Sequence, residues 1–194
     1  MENVLEKTRL YVQEMMKDND PGHDFLHVKR VVSLAKEIAM HEANVNMFLC
    51  EMIALLHDLH DDKLSSNLSV HTLSAFLKSM NVKDEDINTI MEGISYISFR
   101  KYPNQNLHFP IEVQIVQDAD RIDAIGAIGI ARTFAFGGVH KRSFYGEKDS
   151  TIAHFDEKLL LLYERLNTKY AKAIAKERHA FLLQFYNQFL KEVQ

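Results

Sequence analysis

Apolar residues recur at intervals of three and four along most of the chain, a spacing that predicts helices almost from end to end. Val4, Leu5, Tyr11, Val12 and Met15 mark a first helix over residues 2–17. The turn DNDPGHD (18–24), with its Pro-Gly pair, separates it from a second helix, Phe25 to Ala43, carried by Val28, Val31, Val32, Leu34, Ala35 and Ile38. A third helix covers residues 45–59. After the polar stretch DDKLSSNLS, shorter helices are expected over 68–80 and 84–98, the latter with Asp84 as its N-cap. FRKYPNQNLHFP (99–110) reads as a loop bracketed by Pro103 and Pro110. Ile111 to Phe136 reads as one long helix that Gly137-Gly138 breaks, followed by a second long loop, GGVHKRSFYGEKD (137–149). Helices over 151–173 and 176–192 close the chain. Two long loops in a compact helical protein are places where function concentrates.

Composition agrees with this pattern. Seven Gly and three Pro among 194 residues leave little material for the turns of a many-stranded sheet, which favours few, long helices and an all-α class as the expectation. Apolar content of 46% and charged content of 26% place the chain among globular proteins, long enough for one domain spanning 1–194 with a substantial core. The net charge of −4 and the absence of a basic block argue against gripping duplex nucleic acid. Cys50, the single cysteine, lies in an apolar run and cannot form an internal disulfide. The N-terminus mixes charged with apolar residues and lacks the unbroken apolar core of a signal peptide. No stretch approaches the length of a membrane span, so a soluble cytoplasmic protein is expected.

One segment does not fit a purely structural reading. In ALLHDLHDDK (54–63) an apolar helix runs into two histidines and three acids within two turns. Crowded acids repel, and His and Asp are poor helix formers, so the segment calls for a cation or for full exposure to water. The apolar approach LCEMIALL (49–56) argues against water. Imidazole and carboxylate together suit a borderline divalent ion. His57 and Asp58 are the first donors; His27, among Val28, Val31 and Val32, is a second source. QDADRIDAIGAIG (117–129) is a third, where Asp118, Asp120 and Asp123 interrupt an apolar helix. Taken singly, each has a bland explanation: a boundary histidine, a frayed helix end, a solvated face.

The ordered set H…HD…D, each member on its own apolar helix, resembles the HD-domain superfamily of metal-dependent phosphohydrolases, and in particular its small stand-alone bacterial members. The resemblance rests on HVKRVVSLA, ALLHDLHDDK and VQDADRIDAIGAIGIAR and runs from about Gly22 to Gly138. It implies an HD-type helical bundle of about seven to nine helices, with the motif core at about 22–138 and the C-terminal helices (151–193) packed on it. It also implies one divalent ion (Mn favoured; Mg, Co, Ni or Fe also suitable) held by His27, His57, Asp58 and one Asp of the last motif. Ala119-Asp120-Arg121-Ile122 fits the superfamily's usual context for that ligand, whereas helical projection places Asp118 nearer the stripe of Ile111, Ile115, Ile122 and Gly126. Both stay open.

Hydrolysis also needs a group that orients water or takes its proton. Asp61 and Asp62 follow Asp58 by one helical turn, and nucleotide pyrophosphohydrolases of the superfamily often carry an acidic pair at this offset. Arg30, one turn after His27, and Lys63, Lys141 and Arg142 are candidates for holding phosphate, with His23 as a further donor. The expected activity is hydrolysis of a small nucleotide, foremost a nucleoside triphosphate to monophosphate and pyrophosphate. A nucleotidase, a phosphodiesterase or a non-catalytic nucleotide sensor are the alternatives. His71 and His108 are the residues available for a second metal, and Phe99, Tyr102, Phe144 and Tyr145 for stacking a base. The aromatic run HAFLLQFYNQFL (179–190) reads as core or oligomer face, and LLLLYERL (159–166) leaves room for a homodimer contact.

Overall fold

The computed structural model describes residues 1–17, 24–59, 68–97 and 109–193. Among these the chain is all helical, with nine α-helices: α1 (Glu2–Met15), α2 (Phe25–Ala39), α3 (Met47–Leu56), α4 (Val70–Ser79), α5 (Asp84–Ser95), α6 (Ile111–Asp123), α7 (Gly126–Val139), α8 (Ala153–Glu157) and α9 (Lys169–Glu192). They fall into two compact units that divide within α6, between Gln117 and Asp118.

In the first unit α3 is the central element. Every residue from Cys50 to Leu56 is buried, and the helix packs on α1, α2 and α5. A short helix that is apolar all round has to be a core helix. Each fully buried Leu, Ile or Met contributes about 1.5–3 kcal/mol relative to exposure. Gly93 lets α5 approach closely, since a Cβ there would lie 2.7 Å from Ile53 Cδ1. The one acid inside α3, Glu51, is paired with Lys36 of α2 at 3.2 Å. Burial, with Glu112 and Glu51 nearby, pushes the Cys50 thiol up to about 12.

In the second unit α7 packs along α9, and Phe134, Phe155, Phe185 and Phe189 form a connected aromatic cluster. The aromatic run of α9 therefore supplies core contacts at Phe185 and Phe189, while Phe181 is 49% exposed.

Four expectations are corrected. Asp84 is the first residue of α5 rather than its N-cap; Lys83 precedes it, and Asp84, Glu85 and Asp86 meet the positive end of the helix. The long helix from Ile111 is two helices that turn by 72° after Asp123. Ile125 is extended and Gly126 takes φ +75°, a left-handed conformation that side chains disfavour. Gly137-Gly138 does not end α7, which continues to Val139. Gly137 instead makes space: a Cβ there would lie 2.2 Å from Thr151 Oγ1. Finally, the expected helix over 151–173 is α8 followed by two 3-10 turns, Leu159–Leu161 and Tyr163–Arg165. The break before the last helix falls at Leu166–Thr168, where Leu166 is extended and the Thr168 side chain accepts from Ala171 N at 3.2 Å.

Among the described residues no single helix is long and apolar enough to cross a membrane.

Candidate metal centre

Two helix ends build the centre. Asp24 caps α2, its carboxylate accepting from the His27 N–H at 2.9 Å, which fixes His27 in the first turn with 1% of its surface exposed. His57 and Asp58 follow the last residue of α3, at its negative end, where a cation is favoured and a bare carboxylate is not. His57 and Asp58 are buried as well.

The donor atoms converge. His57 Nε2 lies 3.3 Å from His27 Nε2 and 3.3 Å from Asp58 Oδ1, and His27 Nε2 lies 3.3 Å from Asp58 Oδ2. His57 Nδ1 is 2.9 Å from the Ala54 carbonyl, which can only accept, so that nitrogen donates and Nε2 is the ring atom turned to the other two side chains. Two imidazole nitrogens and a carboxylate aimed at one point repel unless a proton or a cation lies between them. Donors of an ion bound at about 2.1 Å fall about 3–3.4 Å apart, which is the distance between the two imidazole nitrogens and from each of them to one oxygen of Asp58. The set fits a divalent metal, and it is the one cluster of this kind among the described residues.

Residues 24–125 match the HD domain family. The chain belongs to that family. It is 42% identical over 193 residues to YpgQ of Bacillus subtilis, an alignment covering 97% of this chain and 93% of YpgQ. The crystal structure of YpgQ in complex with ADP has a TM-score of 0.84 with this structure at 39% identity, covering 97% of each chain. The Lin1889 protein of Listeria innocua has a TM-score of 0.81 at 36% identity, covering 99% of this chain and 96% of its own. An HD-superfamily hydrolase from Bacillus thuringiensis gives 0.78 at 38% identity, covering 98% and 97%. The HD domain binds a divalent metal, and this HD protein is a metal-dependent phosphohydrolase.

The second unit of the HD protein holds the acids of the last motif, and they differ sharply. Asp118 is fully buried. Its Oδ1 accepts from Asn167 N at 2.7 Å and Asn167 Nδ2 at 3.0 Å, and its Oδ2 accepts from Thr168 N at 2.8 Å. Burial pushes its carboxyl up, while these donors and the Arg121 guanidinium, 3.8 Å away, pull the other way. Asp118 thus supplies the acceptor for backbone N–H groups at the start of α9, a contact absent from any local sequence pattern. Asp123 is equally buried and pairs with Arg132 of α7 at 2.6 Å. Asp120 is the half-buried member of the three. The solvated-face reading of this run therefore fails for Asp118 and Asp123.

Among the expected phosphate ligands, Arg30 is half-buried on α2, one turn beyond His27. Lys141 and Arg142 are exposed just after α7, in the second unit. Lys141 has φ 54°, and the Arg142 guanidinium lies 5.4 Å above the Phe136 ring. His23, Asp61, Asp62 and Lys63 lie outside the described residues, as do His108, Phe99 and Tyr102. His71 is exposed on α4. Phe144 and Tyr145 are more than half exposed, with their rings against Phe134 and Phe189 respectively.

Proposed function

We propose that this HD protein hydrolyses a small nucleotide, foremost a nucleoside or deoxynucleoside triphosphate to the monophosphate and pyrophosphate. The observation that carries the reading is the buried convergence of His27, His57 and Asp58 at separations of 3.3 Å. The ADP complex of the relative YpgQ supports a nucleotide as the ligand class.

His27, His57 and Asp58, with Asp120 as fourth donor, would hold one divalent ion. Mn suits the mixed nitrogen and oxygen set, and Mg, Co, Ni or Fe are compatible with it. Such an ion supplies Lewis acidity, polarising a phosphoryl oxygen and acidifying adjacent water. Asp120 is preferred to Asp118 because both Asp118 oxygens already accept hydrogen bonds from Asn167 and Thr168. Asp61 and Asp62 orient the attacking water and accept its proton on a carboxylate oxygen. The water oxygen then bonds to the α-phosphorus as the bond to the pyrophosphate oxygen breaks. Arg30, Lys63, Lys141, Arg142 and His23 offset the charge of the phosphates.

The test is turnover of a nucleotide panel by metal-stripped protein resupplied with Mn, Mg, Co or Ni, with products resolved by chromatography. Monophosphate and pyrophosphate from a triphosphate, lost in His57→Ala, are expected. Release of inorganic phosphate from monophosphates would assign a nucleotidase instead. Metal binding with no turnover of any nucleotide would refute catalysis in favour of a sensor.

A further inference from the structure

We propose that Asp24 is a positioning residue for the metal centre. Through the His27 N–H, its carboxylate holds the first turn of α2 in the conformation that brings the His27 imidazole to His57 and Asp58. The inference deepens the reading above and rests on His27 being a metal ligand. All four residues belong to the first compact unit.

The two sources of donors differ in how their backbone is held. His57 and Asp58 follow a helix buried from Cys50 to Leu56. Leu59, directly after them, is buried too, and its N–H donates to the Leu56 carbonyl at 3.0 Å. His27 is the third residue of α2, in the turn where a helix leaves its N–H groups without intrahelical partners. Side-chain packing of that turn is partial: Phe25 is half-buried and Leu26 is 58% exposed. Beyond His27, Val28, Val31 and Val32 anchor the helix in the core.

Asp24 supplies what packing does not. The His27 N–H donates to Asp24 Oδ1 at 2.9 Å and to the Asp24 carbonyl at 3.0 Å, and the Val28 N–H reaches that carbonyl at 3.5 Å. Asp24 is extended, with φ −91° and ψ 170°, as a capping residue is. The Nε2 atom of His27 is the far end of its ring, so a small rotation of this turn displaces it widely. It lies 3.3 Å from His57 Nε2 and 3.3 Å from Asp58 Oδ2, and metal–donor distances tolerate only about 0.2 Å. Affinity falls in proportion to the fraction of molecules in which the turn is formed. Partners that orient a ligand typically change metal affinity 10–100-fold. One that acts through the ligand's backbone should give about 5–10-fold, near the lower end of that range.

The experiment is Mn(II) affinity, read from the EPR signal of free Mn(II), on the metal-stripped intact chain well below its melting temperature. The variants are His27→Ala, Asp24→Ala, Asp24→Asn, Asp24→Glu and Lys36→Ala, each checked for folding by circular dichroism. His27→Ala should lose most affinity. Asp24→Ala removes the cap, and Asp24→Glu keeps the charge on a longer chain that caps poorly; both should weaken binding about 5–10-fold. Asp24→Asn caps as well as Asp and should stay within about threefold of wild type. Lys36→Ala breaks the ion pair with Glu51 farther along α2 and leaves the first turn alone, so its affinity should match wild type. Wild-type affinity in Asp24→Ala beside a large loss in His27→Ala would overturn the positioning role and leave the ligand reading intact. Wild-type affinity in His27→Ala would overturn both. A loss in Asp24→Asn equal to that in Asp24→Ala would assign the effect to charge and overturn the capping role. A similar loss in Lys36→Ala would overturn it too, by showing that any loosening of α2 suffices. Should Asp24→Ala not fold, the Asn and Glu variants decide.

Discussion

Replacing Asp118 by Ala removes the acceptor for three donors, Asn167 N, Asn167 Nδ2 and Thr168 N. Hydrogen bonds to a charged partner contribute about 1.5–3 kcal/mol each, although three that share one acceptor fall well short of additive. The carboxylate's own burial opposes them, as the upward push on its pKa shows, and its removal returns that cost. The two backbone N–H groups remain, and an unpaired buried donor costs about 1–3 kcal/mol unless water reaches it. These terms net to a destabilisation of about 3 kcal/mol. For a chain of this length, at about 2–4 °C per kcal/mol, the melting temperature should fall by about 6–12 °C. Asp120→Ala, at a half-buried position, should stay within about 1 kcal/mol of wild type. Scanning calorimetry on metal-stripped protein in chelator measures both, and amide hydrogen exchange follows Asn167 and Thr168, which should lose protection in Asp118→Ala. A melting temperature within about 2 °C of wild type, or full protection of those two amides, would refute the argument that Asp118 anchors α9.

Metal should stabilise the fold by mass action. Free Mn(II) at a hundredfold excess over its Kd contributes about 2.7 kcal/mol, a rise of about 5–11 °C at about 2–4 °C per kcal/mol. His57→Ala should abolish that rise in a thermal-shift assay, and an undiminished rise would remove His57 from the centre. The Cys50 thiol should resist iodoacetamide at about pH 8.5, where an unfolded cysteine is about half ionised. Burial, with Glu112 and Glu51, has moved it to about 12 in the fold. Because the folded pKa is the higher one, this group's stabilisation is complete below about pH 8.5 and is lost as pH climbs through about 12. Alkylation of native protein at the rate of the denatured chain would contradict that burial.

The helices and the first half of the centre could be read from the sequence because both are written locally. Val28, Val31 and Val32 mark the buried face of α2, and LCEMIALL marks a core helix ending at His57. The elements that depart from the local pattern depend on partners distant in sequence. Gly137 looks like a helix stop, yet its role is set by Thr151, whose side chain fills the space a Cβ would need. LLLLYERLNTKY has helical spacing throughout, but Asp118, 49 positions before Asn167, draws the backbone of Asn167 and Thr168 out of it. Asp118 and Asp120 are two residues apart and look alike in sequence. Only tertiary contacts distinguish the fully buried anchor from its half-buried neighbour.

The placement of the His-Asp pair also answers why acids crowd the end of an apolar helix. At the C-terminus of α3 the unpaired carbonyls carry partial negative charge, so Asp58 there is unfavourable for an isolated helix. His27, one turn into α2, brings the opposite, positive helix end to the same trio. A cation among the three donors is therefore favoured by the end of α3, and anionic groups beside it by the start of α2. The two helix ends fit a positive ion and a negatively charged phosphate as a pair, and each end alone would favour only one of them. An uncharged substrate would make use of half of this arrangement. This is why the helix geometry supports phosphate-bearing substrates, while the choice among them rests with residues beyond the trio.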